Sequence, residues 1–136
     1  MSASTTDRID LRLPALAESI PHIRHAIVSF ARRHGYTPLE AIGLAVTEAA
    51  TNAVLHAYVG SEPGDIRAVA CAKPERLVVV VRDWGTGMAP RLDTPGLGLG
   101  LPTIAALAGS FDVEAAEGRG TLMRMQFHRE AAAAPA

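Results

Sequence analysis

The sequence predicts an α/β two-layer sandwich in which helices cover one face of a mixed, mostly antiparallel sheet. The first observation is the order of the predicted elements, β-α-α-β-β-loop-α-β-β, in which strands alternate with helices. The second is the length of 136 residues, which suits a single hydrophobic core. The third is a composition of 49% hydrophobic and 20% charged residues, which is typical of globular proteins. We expect residues 8–129 to form this domain, residues 1–7 to be a flexible lead-in and residues 130–136 to be a disordered tail.

One short strand and two helices make up the predicted first half. Residues 8–13 alternate charged and apolar side chains, which indicates a strand. Residues 16–34 place apolar side chains at spacings of three and four, which indicates an amphipathic helix. A second helix runs to about Ala57, with Thr37 as its N-cap and Pro38 at its first helical position. The inward-facing side chains of the first helix are expected to be Leu16, Ile20, Ile23, Ile27 and Phe30.

The second half is predicted to supply four strands and one helix. Residues 65–73 and 76–82 read as an antiparallel hairpin, and the unbroken apolar run at 77–81 predicts that its second strand is central in the sheet. The later elements are a loop at 85–100 with five glycines and two prolines, a helix from Pro102 to about Gly109, and strands at 111–115 and 121–127.

Charge and composition exclude several classes of protein. The formal net charge is -1 and basic residues form no cluster, so we expect no direct contact with nucleic acid. Cys71 is the only cysteine and cannot form an internal disulfide or a thiolate zinc site. No apolar stretch approaches the roughly 20 residues that cross a bilayer, and the polar N-terminus has no signal-peptide core. We therefore expect a cytoplasmic protein that does not bind membranes.

A stripe of polar residues on the second helix carries side chains that could act in catalysis or bind a ligand. Glu48, Asn52 and His56 are each four residues apart, which places them on one side of a helix. A carboxylate can take a proton or orient a nucleophile, and an amide oxygen is a ligand that Mg²⁺ accepts. The alternative is that Glu48 and Asn52 are ordinary solvated helix residues. For His56, a structural role near the helix end competes with a direct role in catalysis.

The loop after the central strand is a candidate for binding a flat, nitrogen-rich ligand. Asp83 stands where this strand ends, and its carboxylate can accept a hydrogen bond from an exocyclic amine such as that of adenine. Gly85 and Gly87 let the backbone bend and approach the ligand closely, and Met88 can pack on the ligand's face. The alternative is a plain Asp-x-Gly turn.

A second glycine-rich segment, residues 96–101, precedes the third helix. It is not a dinucleotide fingerprint, because its spacing is G-x-G-x-G and no βαβ unit surrounds it. It is not a Walker A loop, because no Gly-Lys-Ser/Thr follows, and the only lysine is Lys73. Phosphates would then be bound by backbone N–H groups and the positive end of the helix that Pro102 begins. Thr121, after Gly118-Arg119-Gly120, adds a hydroxyl from a neighbouring strand.

These motifs, taken in order, resemble the Bergerat-fold ATP site of the GHKL superfamily, which includes gyrase, sensor histidine kinases and MutL. Glu48 and Asn52 match the N-box of that superfamily. The other matches are Asp83-x-Gly85-x-Gly87 with the G1 box, residues 96–101 with the G2 box and residues 118–121 with the final glycine-threonine element. The run E-A-A-T-N-A-V-L-H-A-Y is most similar to bacterial anti-sigma factors that are also serine/threonine protein kinases.

The resemblance implies a mechanism and a set of partners. Glu48 would be the general base toward a serine of a partner protein, Asn52 would hold Mg²⁺, and Asp83 would bind the adenine of ATP. The remaining ATP-binding residues would be Gly85, Gly87, Met88, Gly96, Gly98, Leu99, Gly100, Leu101 and Thr121. The implied partners are an anti-anti-sigma (STAS-type) protein, which is phosphorylated, and a sigma factor, which is sequestered; members of the family are usually homodimers.

One departure from the family pattern favours an alternative. Only residues 88–95 separate Gly87 from Gly96, so the segment that would close over the triphosphate is short, and Arg91 is its single cation. The alternative is an ATP-binding, partner-switching module with weak or no catalysis, which could be the regulatory domain of a longer phosphatase.

Overall fold

The computed structural model describes residues 7–86 and 101–129. Five strands, three α-helices and one π-helical segment make up these parts of the chain. In chain order they are β1 (Asp7–Pro14), α1 (Ser19–Arg33), α2 (Leu39–Asn52), the π-helical segment (Ala53–Ala57), β2 (Asp65–Ala72), β3 (Arg76–Asp83), α3 (Leu101–Leu107), β4 (Ser110–Ala115) and β5 (Thr121–His128). No helix in these parts is long and apolar enough to span a membrane.

The five strands form one sheet in the order β1-β2-β3-β5-β4, and every adjoining pair is antiparallel. The predicted α/β sandwich is therefore confirmed, but the prediction of a mixed sheet is wrong for the strands that the structure describes. The connection through α3 leads to β4, which runs in the same direction as β3. Because β5 lies between β3 and β4 in the sheet, both strands have an antiparallel neighbour.

The core lies between the sheet and the helices. Leu77, Val79 and Val81 of β3 are buried, whereas the residues between them are partly exposed, so the helices cover one face of the sheet. β3 has β2 on one side and β5 on the other, which confirms its predicted central position. From the helical layer the largest buried contributions come from Ile23, Ile27, Phe30, Ile42 and Ile104.

Both long helices begin later than the sequence pattern predicted. Ser19 N–H donates to the carbonyl of Leu16 in a turn that precedes α1, so Leu16 lies outside the helix and is 40% exposed. Pro38 has ψ 137°, an extended value, and is therefore the N-cap of α2 rather than its first helical residue. Thr37 thus precedes the cap instead of forming it.

The end of α2 departs from a regular α-helix. The helix is α-helical up to Asn52, and residues Ala53–Ala57 continue as a π-helical segment with a wider turn. Ala57 is buried like Asn52, whereas His56 is partly exposed. Glu48 and Asn52 lie one regular helical turn apart on α2, and a role for His56 stays a prediction.

Candidate functional site

Asp83 is the buried acidic group of the candidate site. It is the last residue of β3, lies on the helix-covered face of the sheet and is only 3% exposed. Its Oδ1 accepts hydrogen bonds from the N–H of Gly85 at 2.9 Å and the N–H of Thr121 at 3.2 Å. Because both bonds use one oxygen, they orient the carboxyl group and leave Oδ2 for another donor.

Burial controls the protonation of this carboxyl group. Desolvation raises the pKa of Asp83 above its ordinary value, because the charged form loses its hydration. The hydrogen bonds from Gly85 and Thr121, and the nearby charge of Arg82, act in the opposite direction. A ligand that donates a hydrogen bond to the carboxylate would therefore stabilise its charged form.

Two glycines allow the backbone to pack tightly around Asp83. A Cβ atom added to Gly85 would lie 2.0 Å from the carbonyl oxygen of Ala57. A Cβ atom on Gly120 would lie 1.9 Å from the carbonyl oxygen of Asp83, and Gly120 also has φ +101°. Any side chain at either position would displace backbone, so both positions require glycine. Gly85 was predicted as a site residue because of its conformational freedom, and the structure adds a steric reason.

Asn52 is the second buried polar group. It is the last residue of α2 and is 1% exposed, and its Nδ2 has no hydrogen-bond partner. An unsatisfied buried amide costs about 1–3 kcal/mol, which a bound ligand can recover. The amide oxygen Oδ1 is the atom that fits the predicted role of a ligand to Mg²⁺ in a nucleotide complex, and Nδ2 would still need an acceptor on the bound ligand.

Glu48 lies one helical turn before Asn52 on α2. It is partly exposed, and it forms no hydrogen bond or ion pair within the parts of the chain that the structure describes. Its carboxylate is therefore available to solvent or to a substrate. Among the described residues, no three His, Cys, Asp or Glu side chains converge as a metal site.

The π-helical segment joins α2 to the strand end that carries Asp83. The carbonyl of Ala57 accepts a hydrogen bond from Thr86 N–H at 2.9 Å. The Tyr58 hydroxyl accepts from Trp84 N–H at 2.8 Å and donates to the carbonyl of Asp65 at 2.8 Å. The sequence interpretation did not assign Ala57 or Tyr58 a role, although the motif ending in His-Ala-Tyr contains both.

Trp84 points away from the candidate site. Its ring lies 4.2 Å from the guanidinium carbon of Arg12 and 4.7 Å from that of Arg82, on the helix-free face of the sheet. Arg82 also donates to the carbonyls of Glu117 and Arg119 in the turn between β4 and β5. These contacts fix the end of β3 on the face of the sheet opposite the Asp83 side chain.

The structure brings some predicted site residues together and does not describe others. Asp83, Gly85 and Thr121 form one cluster, in which Thr121 is buried and donates its backbone N–H rather than acting only through its hydroxyl. Leu101 begins α3. The other predicted phosphate and base residues lie outside the described residues: Gly87, Met88, Gly96, Gly98, Leu99 and Gly100. Their roles stay predictions, as does that of Arg91.

An antiparallel sheet under one helical layer, with a buried carboxyl group at the end of its central strand, fits the class of histidine kinase-like ATPase domains. The sequence model of the family described as "Histidine kinase-like ATPase domain" matches residues 13–127, and the chain belongs to this family.

Among its relatives, the chain is similar to the serine-protein kinase RsbW of Bacillus mycoides, with 30% identity over 91% of this chain and 88% of the relative. It is also similar to proteins of the same name from Bacillus subtilis and Listeria monocytogenes. The first of these is 37% identical over 60% of this chain and 52% of the relative, and the second 38% identical over 62% and 55%. In these two matches the chain spans about half the length of the relative. The predicted resemblance to serine protein kinases of the GHKL superfamily is confirmed.

Proposed function

We propose that this protein binds ATP with Mg²⁺ and transfers the γ-phosphoryl group to a serine of an anti-anti-sigma (STAS-type) protein. The observation that carries the proposal is the Asp83 carboxyl group, which is buried and oriented by the N–H groups of Gly85 and Thr121. We propose that the same protein sequesters a sigma factor, acts in the cytoplasm and forms a homodimer.

Adenine recognition would use Asp83. With Oδ1 occupied by two backbone donors, Oδ2 is the oxygen that would accept the exocyclic amine of adenine. Guanine carries a carbonyl oxygen at the corresponding ring position, and that oxygen would face the carboxylate without a proton between them. The site would therefore select ATP over GTP.

Phosphoryl transfer would use Glu48 and Asn52. Glu48 would take the proton from the serine hydroxyl as the serine oxygen forms its bond to the γ-phosphorus, while the bond from that phosphorus to the bridging oxygen breaks and ADP leaves. The amide oxygen of Asn52 would hold Mg²⁺, which when bound neutralises charge on the phosphates. The accessible Glu48 and the unpartnered Asn52 amide support these roles.

The test is transfer of label from γ-labelled ATP to a purified anti-anti-sigma protein. We expect Glu48→Ala to lower the transfer rate by about 10²–10⁴-fold, the usual contribution of a positioned base, with little change in ATP affinity. Glu75→Ala is the matched control, because Glu75 is an exposed acidic residue in the turn between β2 and β3. Absence of transfer by the unmodified protein, or equal transfer by Glu48→Ala, would contradict the kinase proposal.

A second candidate function is an ATP-binding, partner-switching module with weak or no catalysis, either free-standing or as the regulatory domain of a longer phosphatase. The observation that favours it is the short segment 88–95 between Gly87 and Gly96. The same assay separates the two candidates. A partner-switching module would bind ATP, and Asp83→Asn would weaken that binding, but no label would be transferred to the anti-anti-sigma protein.

A further inference from the structure

Arg82 connects the end of β3 to the β4–β5 turn, which comprises residues 116–120. Its terminal nitrogen Nη2 donates to the carbonyl of Glu117 at 3.0 Å and to the carbonyl of Arg119 at 3.3 Å. A terminal guanidinium nitrogen carries two hydrogens, so each carbonyl can receive one of them. A single side chain on the helix-free face of the sheet thus holds two backbone carbonyls of this turn.

The guanidinium group of Arg82 is fixed from two further directions. Its central carbon lies 4.7 Å from the centre of the Trp84 ring, which is within the range of a cation–π contact. Its Nε is buried and forms no hydrogen bond within the described parts of the chain. Burial of an unpaired donor is unfavourable, so the two carbonyl bonds and the indole contact must offset it. The side chain is therefore held against the turn, although an arginine on a solvated face could direct all its donors to water.

The β4–β5 turn leads directly to the donor that orients Asp83. Thr121 follows the turn as the first residue of β5, and its N–H bonds to Oδ1 of Asp83 at 3.2 Å. The turn also packs on the backbone of β3, since a Cβ atom on Gly120 would lie 2.7 Å from Cα of Trp84. Arg82 therefore holds on one face of the sheet a turn that supports the Asp83 carboxyl group on the other face. Displacement of the turn would carry the Thr121 N–H away from that carboxyl group.

We propose that Arg82 is a positioning residue for adenine binding: it holds the β4–β5 turn so that the Thr121 N–H orients the Asp83 carboxylate. This inference rests on the proposed function, in which Oδ2 of Asp83 accepts the exocyclic amine of adenine. Arg82 acts through the turn and does not touch the base, because its side chain lies on the opposite face of the sheet. Its bonds go to the turn and not to α2, which carries Glu48 and Asn52. Loss of Arg82 should therefore change nucleotide affinity and base selectivity but not the phosphoryl-transfer step.

The first measurement uses the full chain without nucleotide. Arg82→Met keeps an unbranched side chain and removes both bonds to the turn. We expect the amide proton resonance of Thr121 to move upfield, because its hydrogen bond to Asp83 lengthens. The pKa of Asp83, followed by its carboxyl carbon resonance, should rise, since the Thr121 bond and the charge of Arg82 both lower it. Arg124→Met is the matched control: it removes a charge from the same face, where Arg124 pairs with Glu114, and should change neither signal.

The second measurement compares nucleotide binding and turnover. We expect Arg82→Met to raise the Kd and KM for ATP by about three- to tenfold, the usual effect of losing one hydrogen bond. The preference for ATP over GTP should fall, and kcat should stay unchanged. Arg12→Met separates the turn bonds from the indole contact, because Arg12 lies 4.2 Å from the Trp84 ring and bonds to Asp65 instead of the turn. That variant should leave affinity and selectivity unchanged.

Arg82→Lys keeps the test decisive if urea denaturation shows that Arg82→Met does not fold. Lysine retains the charge but lacks the planar fork of donors, so the same changes should appear at smaller size. An unmoved Thr121 amide in both variants, equal effects of Arg12→Met or Arg124→Met, or a fall in kcat with unchanged KM would each overturn the proposal. If the unmodified protein bound no ATP, the proposed function would fail. The Thr121 and Asp83 resonances, recorded without nucleotide, would still decide whether Arg82 positions the turn.

Discussion

The phenolic oxygen of Tyr58 lies 2.8 Å from the backbone nitrogen of Trp84 and accepts its hydrogen bond. The same hydroxyl donates to the carbonyl of Asp65 at the start of β2, and burial raises its pKa. One side chain thus connects the end of the π-helical segment to two neighbouring strands, directly beside Asp83. The position of the candidate site depends on this connection.

We expect Tyr58→Phe to lower the free energy of unfolding by about 1–3 kcal/mol, because a backbone N–H and a backbone carbonyl lose their partner. ATP affinity should fall as well, since the residue after Asp83 is no longer fixed. Urea denaturation and calorimetric titration with ATP measure the two effects.

Tyr36→Phe is the matched control for that variant. The Tyr36 hydroxyl bonds to the carbonyls of Lys73 and Arg76, at the opposite end of β3 from Asp83. It should lower stability by a similar amount and leave ATP affinity unchanged. If both variants weakened ATP binding equally, Tyr58 would have only a general structural role.

Asp83→Asn tests the adenine assignment. The amide oxygen can still accept from Gly85 and Thr121, but the amide nitrogen then presents protons where an acceptor is needed. We expect a loss of ATP affinity of about 1–3 kcal/mol, the cost of an unsatisfied buried group, and a lower preference for ATP over GTP. Asp112→Asn, on an exposed residue of β4, is the control. Unchanged ATP affinity in Asp83→Asn would mean that the base binds elsewhere.

The raised pKa of Asp83 predicts a pH dependence of stability. The folded state holds this proton more tightly than the unfolded state, so the contribution of Asp83 is fully present below the ordinary pKa of 3.8 and decreases as pH rises through the higher folded value. The stability of the wild-type protein relative to Asp83→Asn should therefore fall as pH increases above about 3.8. Urea denaturation at a series of pH values, without nucleotide, measures this difference.

Asp10 supplies a control of the opposite sign. Its hydrogen bond from Arg67 lowers its pKa below 3.8, so its contribution is present above 3.8 and is lost as pH falls. The wild-type advantage over Asp10→Asn should therefore grow as pH rises. A pH-independent difference between the wild-type protein and Asp83→Asn would mean that the pKa of this carboxyl group is not raised in the folded state.

Gly120→Ala should disrupt the site more than a change at the neighbouring Gly118. Both glycines have positive φ, but a Cβ atom at Gly118 meets nothing within 4 Å, whereas at Gly120 it collides with Asp83. We expect Gly118→Ala to cost about 1–2 kcal/mol, the penalty of the left-handed conformation for an L-residue. Gly120→Ala should cost clearly more and also abolish measurable ATP binding. Thermal denaturation and ATP titration of the two variants provide the comparison, and equal losses would contradict the steric explanation.

The hydrophobic pattern was sufficient to predict the helices and strands and the central place of β3, because burial on one face imposes a period of two on strands and 3.6 on helices. It could not predict the π-helical segment. That departure coincides with a long-range hydrogen bond from Thr86 to Ala57, which no local pattern encodes.

The sequence was sufficient to select residues of the candidate site but not to predict the hydrogen bonds between them. Asp83 and Gly85 could be selected because they follow a buried strand. The bond from Thr121 to Asp83 depends on the antiparallel register of β3 and β5, in which Arg82 lies opposite Leu122. That register arises only when β5 inserts between β3 and β4, so spacing along the chain does not reveal it.

The position of Trp84 has a practical consequence for spectroscopy. It is the only tryptophan in the chain, it is covalently joined to Asp83, and its ring lies beside two guanidinium groups on the face opposite that carboxyl. A ligand that moves the end of β3 would alter the cation–π contacts without touching the indole. The intrinsic fluorescence of Trp84 therefore offers a signal for occupancy of the site that needs no label and does not require the indole to contact the bound base.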